Sequence, residues 1–309
     1  MIIVLLAWTG KRVEVDRIAA ESGQAALALA GLADDSHMLD VADRIGRSMI
    51  PIQLSVVTPV DRIQNFDPER LPLFSHLETR ETVSERIDPQ SLKPVRTAER
   101  RVVLVERYGY LRQLLIKALE TLEIAVWATL IAAVLSLPMA LLAAKPTMDH
   151  GAVRWLVRGM LSILRAIPEL IGALLMVLVF GFGPAAGVLA LALHGTGFLG
   201  KFYAEDMENA PSGPQEALRA IGANRLLLFR YAILPQVLPQ FVAYTVYLLD
   251  RNFRMATMIG LVGAGGIGQE LKGRYDMYEY HHVATIILII VVSVLLLELL
   301  SARLRRRLL

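Results

Sequence analysis

The chain has 309 residues, of which 55% are hydrophobic, and its mean hydropathy is +0.49. This composition is too apolar for an ordinary soluble domain and predicts several membrane spans. The formal net charge of +3 is small and the basic residues are scattered, which argues against nucleic-acid binding. The sequence contains no cysteine, which excludes disulfides, thiolate metal sites and a cysteine nucleophile.

The chain begins with an apolar run that is too short to cross a bilayer. Met1 to Trp8 has eight residues, whereas a spanning helix needs about 20. The run also lacks the basic leader and the small-residue cleavage site of a secretory signal. We interpret residues 1–10 as the end of a truncated first span whose beginning lies upstream.

Residues 11–110 are predicted to form an extracytoplasmic segment. Residues 11–107 hold 30 of the chain's 61 Asp, Glu, Lys and Arg residues, 16 acidic and 14 basic, so they cannot lie in hydrocarbon. Short helices are predicted at 24–32 and 38–49, and prolines break anything longer. Because no repeat or catalytic spacing is present, we expect a loosely packed region.

Residues 111–309 are predicted to form an all-α, polytopic membrane domain. Residues 124–144 provide 21 positions without a formal charge, enough for one span. The next uncharged run, 170–200, would be about 46 Å long as a helix and must be divided, at the sequence Gly-Phe-Gly-Pro. The remaining predicted spans are 160–181, 184–202, 231–249 and 283–300. Five spans follow, or six with the truncated start.

Basic residues fix the orientation of these spans. Residues 145–165 carry four basic residues against one acid, and residues 303–307 carry four arginines. The positive-inside rule places both stretches in the cytoplasm, which puts residues 11–107 outside. Arg165 and Glu169, four residues apart on one predicted helix, are expected to pair.

A polar stretch, SGPQEALRAIGANRLLLFRYAILP at 212–235, separates two apolar spans; we name it the elbow. Ser212 and Gln215 have the spacing of a capping box, which predicts a helix start. Gly222 is placed to close that helix in a left-handed conformation, and Asn224 to cap a second helix. By its chemistry alone the elbow is either a surface that another protein binds or an ordinary amphipathic connector.

The sequence GAGGIG at 263–268 matches the Gly-x-Gly-x-x-Gly pattern of dinucleotide sites. That pattern needs a preceding strand and a βαβ unit, neither of which fits between two membrane spans, so no cofactor is expected. We expect a tight, irregular segment at the centre of the assembly. Four glycines would permit its close packing or a re-entrant turn: Gly263, Gly265, Gly266 and Gly268.

Other motifs that could indicate catalysis lack the context that each requires. GTGFLGK at 195–201 is one residue short of a phosphate-binding P-loop because Phe202 replaces the Ser or Thr, and it ends a membrane helix instead of following a strand. If ATP drives this protein, the hydrolase must be a separate chain. His194, His281 and His282 lack the spacing of a helical zinc site, so no catalytic residue or metal site is expected.

Three charged residues, Asp250, Arg251 and Arg254, end the predicted outward span. Arg251 and Arg254 form a candidate anion path. The alternative is an Asp–Arg ion pair that holds the helix end.

The elbow is similar to the cytoplasmic coupling loop of binding-protein-dependent ABC importer permeases, usually written E-A-A, three residues, G, nine residues, I-x-L-P. The matching residues are Glu216, Ala217, Gly222, Leu234 and Pro235. Leu218 and Ala232 depart from the pattern. The resemblance implies that residues 203–230 contact an ATPase, with Gln215 and Ala223 also taking part, and Pro235 is expected to mark a bend.

Three further segments resemble phosphonate-type importers: RAIPE at 165–169, LALHGTGFLGKFYAEDME at 191–208 and RMATMIGLVGAGGIGQEL at 254–271. The last also resembles methionine-type permeases. The likeness covers roughly residues 112–309, whereas 11–107 carry none of these motifs.

This resemblance implies a type I ABC importer (MetI-like) permease fold in the bacterial cytoplasmic (inner) membrane, with a cytoplasmic C-terminus and membrane lipid around it. The implied partners are a cytoplasmic ABC ATPase, an extracytoplasmic substrate-binding protein and a second copy or a second similar permease. The expected cargo is an organophosphonate; phosphate, phosphite, another small oxyanion and methionine are alternatives. An intramembrane enzyme would need a nucleophile or metal cluster in the spans. A purely structural subunit would leave the elbow without a purpose.

Overall fold

The computed structural model describes residues 8–9, 11–30, 36–64, 66–68, 70–87 and 94–308. The hypothesis of a truncated span at residues 1–10 therefore falls almost wholly outside the described residues.

The segment before the membrane domain contains two helices and a three-stranded sheet. Its elements are α1 (Val15–Leu29), α2 (His37–Met49), β1 (Val56–Pro59), β2 (Ser75–Ile87) and β3 (Pro94–Glu106). Strand β3 lies between β1 and β2 and is antiparallel to both. The helix predicted at 38–49 is confirmed, and the one predicted at 24–32 begins earlier and ends earlier. The sheet is a feature that the sequence reasoning missed.

The sheet is attached to one end of the membrane domain. The Tyr110 N–H donates to the Leu54 carbonyl at 3.1 Å, and the Thr285 hydroxyl donates to the Gln53 carbonyl at 2.9 Å. The Tyr110 ring lies edge-on to His282, with their centroids 4.6 Å apart. These contacts fix the chain before β1 to the membrane domain.

The membrane domain is helical throughout its long elements. They are α3 (Gly109–Ala143), α4 (Gly151–Ala166), α5 (Glu169–Phe180), α6 (Pro184–Asn209), α7 (Ser212–Ala220), α8 (Arg225–Leu228), α9 (Leu234–Gly260), α10 (Gly266–Asp276) and α11 (Tyr280–Leu308). Within the described residues, four helices are long and apolar enough to cross a membrane, and the bent pair α4–α5 raises the number to five if it is one span. The predicted helical, polytopic membrane fold is confirmed, with four to five candidate spans in the described residues.

One predicted span is wrong as a single helix. Between α4 and α5 the chain bends by 89° at Ile167 and Pro168. Proline disfavours helical angles at the preceding residue, and Ile167 is accordingly extended, with φ −73° and ψ 118°. Arg165 and Glu169 therefore do not share a helix face, and their predicted pairing is also wrong. The break predicted before Pro184 is confirmed: Gly181 and Gly183 have φ of +82° and +141°.

Several helices extend beyond their predicted ends. Helix α3 begins at Gly109 instead of residue 124, α6 continues to Asn209, and α9 continues to Gly260. The charged residues Asp250, Arg251 and Arg254 consequently lie inside α9, not at its end. Helices accommodate such charges when partners from neighbouring elements pair with them.

Small residues let α3, α4 and α6 approach closely at the centre of the domain. A Cβ added to Gly195 would lie 2.9 Å from the Ala132 Cβ of α3, and one added to Gly197 would lie 2.8 Å from the Leu161 carbonyl oxygen of α4. Leu161 and Leu199 are almost fully buried there. This packing fixes the position of α6, which carries part of the polar cluster described below.

Candidate functional site

The elbow has the predicted helix–glycine–helix geometry. Helix α7 begins at Ser212, and Gly222 closes it with φ +80° while its N–H donates to the Arg219 carbonyl at 3.0 Å. The Ala223 N–H donates to the Leu218 carbonyl at 3.0 Å, which completes the helix end. Both the glycine conformation and the helix start are confirmed.

The predicted capping box is wrong. Pro211 is the N-cap of α7, and the Gln215 side-chain amide donates to the Ala210 and Pro211 carbonyls at 3.1 and 3.3 Å. Gln215 is buried by these bonds. It therefore fixes the chain that enters the elbow, and its side chain is not part of the exposed surface.

Asn224 caps α8 as predicted, because its Oδ1 accepts the Leu227 N–H at 2.9 Å. Replacing Asn224 with alanine should remove about 1 kcal/mol of local stability and speed hydrogen exchange at the Leu227 amide roughly fivefold. Exchange measured by mass spectrometry on purified protein tests this. Asn224→Asp should preserve the slow exchange, and equal rates in the alanine variant and the parent would contradict the cap.

A π-helical turn, Phe229–Ile233, joins α8 to α9, and Pro235 lies just after it. The prediction of a simple bend at Pro235 is therefore wrong, because the irregular turn comes just before it. Arg225–Gly260 nevertheless behaves as one helix of 36 residues, so the elbow and the far end of α9 belong to one long element.

The elbow exposes apolar side chains that the sequence reasoning did not select. Ile221 is 78% exposed and Leu226 is 71% exposed, and Tyr231 lies beside them in sequence and is also exposed. Glu216 and Ala217 are exposed as well. Ile221 precedes the candidate span that begins at Arg225, so its exposed side chain is available for contact with another protein.

An ion pair joins the elbow to the end of the helix bundle, and another joins α4 to α6 at the same end. Arg225 pairs with Asp149, which lies in the connection between α3 and α4. The Arg158 guanidinium donates to Glu208 at 2.6 Å and to the Ala143 carbonyl at 2.9 Å. The elbow therefore lies at the end of the domain where α3 ends, opposite the sheet.

The glycine-rich segment between α9 and α10 is tight and irregular, as predicted. Gly263, Gly265 and Gly266 have φ of +90°, +86° and +73°. Gly268 has no space for a side chain, since an added Cβ would collide with the Thr257 carbonyl oxygen. This confirms the close-packing interpretation of the four glycines.

Helix α3 holds the start of α10. The Glu120 carboxylate accepts the Gly266 N–H at 3.0 Å, and the Thr121 hydroxyl accepts the Ile267 N–H at 2.8 Å. These two bonds satisfy amides at the beginning of a helix that would otherwise be unpaired. The glycine segment is thus fixed to a membrane-spanning helix on the side of the domain that bears the sheet.

A charged cluster joins α5, α6 and α9 at the helix break. The Arg251 guanidinium forms an ion pair with Glu169, and its Nη2 lies 3.1 Å from His194 Nε2. His194 Nδ1 lies 3.2 Å from the Ile167 carbonyl oxygen. Because a carbonyl oxygen only accepts, Nδ1 carries the hydrogen of the bond to Ile167, whereas Nε2 lies 3.1 Å from Arg251 Nη2 and 3.2 Å from Glu169 Oε1. We name Glu169, His194 and Arg251 the triad.

The two candidate arginines have different surroundings. Arg254 pairs with Asp250 at 2.8 Å, one turn away on α9, and is more exposed than Arg251. The ion-pair alternative considered from the sequence therefore describes Arg254. Arg251 points instead to the helix break, and its guanidinium also lies over the Phe198 ring, 5.4 Å from the centroid.

Aromatic side chains extend from the triad along α6 and α9. Phe198 and Phe202 follow His194 at four-residue spacing on α6, with their centroids 4.7 Å apart. Tyr247 and Tyr244 of α9 lie 6.1 and 5.2 Å from these two rings, respectively. The four-residue spacing of these rings is visible in the sequence. Without knowledge of the neighbouring helix, that spacing indicates only ordinary core packing.

Residues 136–309, more than half of the chain, match the family described as binding-protein-dependent transport system inner membrane component. The chain belongs to that family of permeases. It is the permease component of an ABC importer, and its work is transport across a membrane.

Curated relatives of the permease have names that refer to phosphorus oxyanions. It is 51% identical over 260 residues to a putative phosphite transport system permease protein of Stutzerimonas stutzeri, covering 84% of this chain and 100% of that protein. It is 42% identical over 192 residues to a phosphate-import permease protein of Mycolicibacterium smegmatis, covering 62% of this chain and 36% of that protein. An alignment over 260 of 309 residues necessarily includes residues 50–260, so the first relative aligns with the sheet as well.

Solved structures share the fold. The MetNI methionine ABC transporter in inward-facing conformations aligns with a TM-score of 0.56 at 25% identity, covering 63% of this chain and 96% of that chain. The type I importer fold expected from the motifs is confirmed. The aligned share corresponds in size to the membrane domain, which agrees with an additional segment in this permease.

Proposed function

We propose that the permease imports a small phosphorus oxyanion, an organophosphonate or phosphite, across the bacterial cytoplasmic membrane. The observation that carries this proposal is the full-length relationship to a protein named for phosphite transport, together with a partly exposed guanidinium at Arg251 inside a membrane helix. Arginine is suited to oxyanions because its planar fork binds two oxygens at once.

We further propose that a separate ABC ATPase docks on the elbow. Exposed Ile221 and Leu226 supply apolar contact, Glu216 supplies a polar anchor, and the small side chain of Ala217 allows close approach. This assignment places the elbow, the end of α3 and the C-terminus in the cytoplasm. A substrate-binding protein then docks at the opposite end, which carries the sheet.

The proposed assembly contains two permease subunits around a shared path. The glycine segment at 263–268 would lie near its centre, since its backbone is irregular and buried against α3. Irregular backbone at membrane depth is tolerated where protein or a water-filled cavity surrounds it. Movement of the ATPases would then rock the two subunits between inward-open and outward-open states.

Uptake into proteoliposomes tests the cargo directly. The permease is reconstituted with its ATPase and binding protein, and ATP-dependent uptake of methylphosphonate, phosphite, phosphate and methionine is compared. We expect uptake of methylphosphonate or phosphite in preference to the other two. Preferred methionine uptake would refute the oxyanion proposal, and failure of any ATPase to co-purify would favour a structural subunit.

Replacing both Arg251 and Arg254 with glutamine tests the candidate anion path. We expect oxyanion uptake to fall about a hundredfold, because two cations in one path contribute together and each charge-assisted bond is worth about 1.5–3 kcal/mol. Uptake is measured at saturating ATP. The single variant Arg254→Gln should have the smaller effect, since Arg254 already pairs with Asp250. Unchanged uptake in the double variant would remove both arginines from the path.

A further inference from the structure

In the triad, Glu169 already pairs with Arg251, the arginine that we propose binds the substrate. Glu169 Oε1 pairs with Arg251 Nη2, and His194 Nε2 lies 3.1 Å from the same Nη2 and 3.2 Å from Glu169 Oε1. A carboxylate and a phosphonate or phosphite group use the same two-oxygen geometry towards a guanidinium. Glu169 therefore stands where a cargo oxyanion would bind.

The pair is partly shielded from water. The Glu169 side chain is 14% exposed and the Arg251 side chain is 28% exposed. An ion pair in such surroundings separates with difficulty unless another group replaces the lost partner. An oxyanion would supply that replacement for Arg251, and water at the helix break would supply it for Glu169.

Arg251 also has a second position available beside it. Its guanidinium already lies over the Phe198 ring at 5.4 Å, where it would remain attracted after separation from Glu169. His194 differs from Arg251 in this respect, because Nδ1–H fixes it to the Ile167 carbonyl, which the helix break leaves free. The cluster thus combines a carboxylate and an anchored imidazole with an arginine that has a second position available.

The donor is mounted on the element that begins at the elbow. Arg225–Gly260 is one helix of 36 residues, and Arg251 lies 27 residues after Asn224, about 40 Å along the axis. Glu169 is mounted on α5, beyond the break, and does not belong to that element. A movement of the elbow that is transmitted along this helix would move Arg251 relative to Glu169.

We propose that the triad is a latch. In the closed state Glu169 occupies Arg251 and excludes the oxyanion, and movement of the elbow with α9 separates the pair and makes the guanidinium available to cargo. This inference rests on the proposed import of an oxyanion, and it adds a competing residue, Glu169, and a direction of control, from the elbow to the substrate site.

Glu169→Gln tests the latch, because it removes the charge of the competitor and preserves its shape. In the reconstituted transporter with ATPase and binding protein, we expect ATP hydrolysis without cargo to rise about tenfold, as expected when ~1.4 kcal/mol of the closed state is lost. Uptake per ATP hydrolysed should fall. Arg251→Lys keeps the charge but loses the fork, so it should lower uptake without raising cargo-free hydrolysis as much.

Glu270→Gln is the matched control. Glu270 pairs with Arg274 at 2.8 Å, and Arg274 is about as exposed as Arg251, whereas Glu270 is 30% exposed against 14% for Glu169. Arg274 keeps its second partner, Glu279, at 2.6 Å. This variant should hydrolyse ATP like the parent protein. If Glu169→Gln behaves in the same way as Glu270→Gln, the latch is refuted.

If Glu169→Gln abolishes transport activity, a distance measurement still tests the latch. The chain has no cysteine, so spin labels can be placed specifically at Val179 of α5 and Met258 of α9, both of which are exposed. In Glu169→Gln without nucleotide, the distances should shift towards those of the parent trapped with ATP and vanadate. Distances equal to those of the nucleotide-free parent would overturn the latch. Absence of oxyanion uptake by the parent would refute the cargo proposal instead, whatever the labels report.

Discussion

Gly222→Leu is expected to leave the permease folded in the membrane and to uncouple ATP hydrolysis from uptake. Gly222 has φ +80°, a conformation that costs a residue with a Cβ about 1–2 kcal/mol. No heavy atom lies within 4 Å of an added Cβ, so the described part of the chain offers no clash. The added side chain would instead enter the proposed ATPase contact. We expect uptake to fall at least about tenfold, the loss that ~1.4 kcal/mol of weakened docking produces.

Co-purification of the ATPase and uptake per ATP hydrolysed provide the two measurements. Gly222→Asn is the matched variant, because asparagine adopts left-handed angles more readily than leucine and separates backbone strain from side-chain bulk. A weak effect of asparagine and a strong effect of leucine would support a close docking contact. Normal coupled uptake by Gly222→Leu would contradict the role of the elbow as a lever.

Gly268→Ala is expected to destabilise the membrane domain by about 3 kcal/mol or more, since the obstacles are backbone atoms that cannot rotate away. An added Cβ would collide with the Thr257 carbonyl oxygen and lie 3.1 Å from the Gly260 Cα. The turn between α9 and α10 would have to open, and with it the bonds that α3 makes to α10. Thermal unfolding in detergent, followed by the loss of monodisperse protein, measures the effect.

Gly273→Ala is the control for this experiment. It lies in the same helix, α10, and an added Cβ meets nothing within 4 Å. Alanine in place of glycine in an open helical position normally stabilises by about 0.5–1 kcal/mol. Opposite shifts in the two variants are therefore expected. Equal midpoints would show that the glycine segment repacks and that its closeness is not essential.

Local sequence patterns predicted the parts of the fold that depend on neighbouring residues. Gly222 and Asn224 were assignable because helix ends have strong residue preferences, and the break before Pro184 followed from glycine and proline. The sheet could not be predicted in this way. Its strands β2 and β3 mix charged and β-branched residues without a regular alternation, which also fits a solvated segment, and pairing between them is a non-local contact.

The triad illustrates why the site was only partly predictable. Arg251 could be selected as a charge in an apolar region, but Glu169 was assigned to Arg165 because a continuous helix was assumed. The bend at Ile167 and Pro168 turned Glu169 towards α9, 82 positions later in the chain. His194 was considered only as a zinc ligand, because its contacts with Ile167 and Arg251 are non-local. Local sequence patterns do not record such contacts, which depend on tertiary packing.

The π-helical turn at Phe229–Ile233 sets the angular phase between the two ends of the longest helix. It accommodates one residue more than the α-helical turn that it replaces, which corresponds to about 100° of rotation. Wound as a regular α-helix, the same sequence would aim Arg251 away from Glu169 whenever the elbow kept its present orientation. The extra residue in this turn thus sets the rotation of Arg251 relative to the elbow, about 40 Å away along the helix. Deleting one residue of the turn would preserve that rotation only if the helix became a regular α-helix.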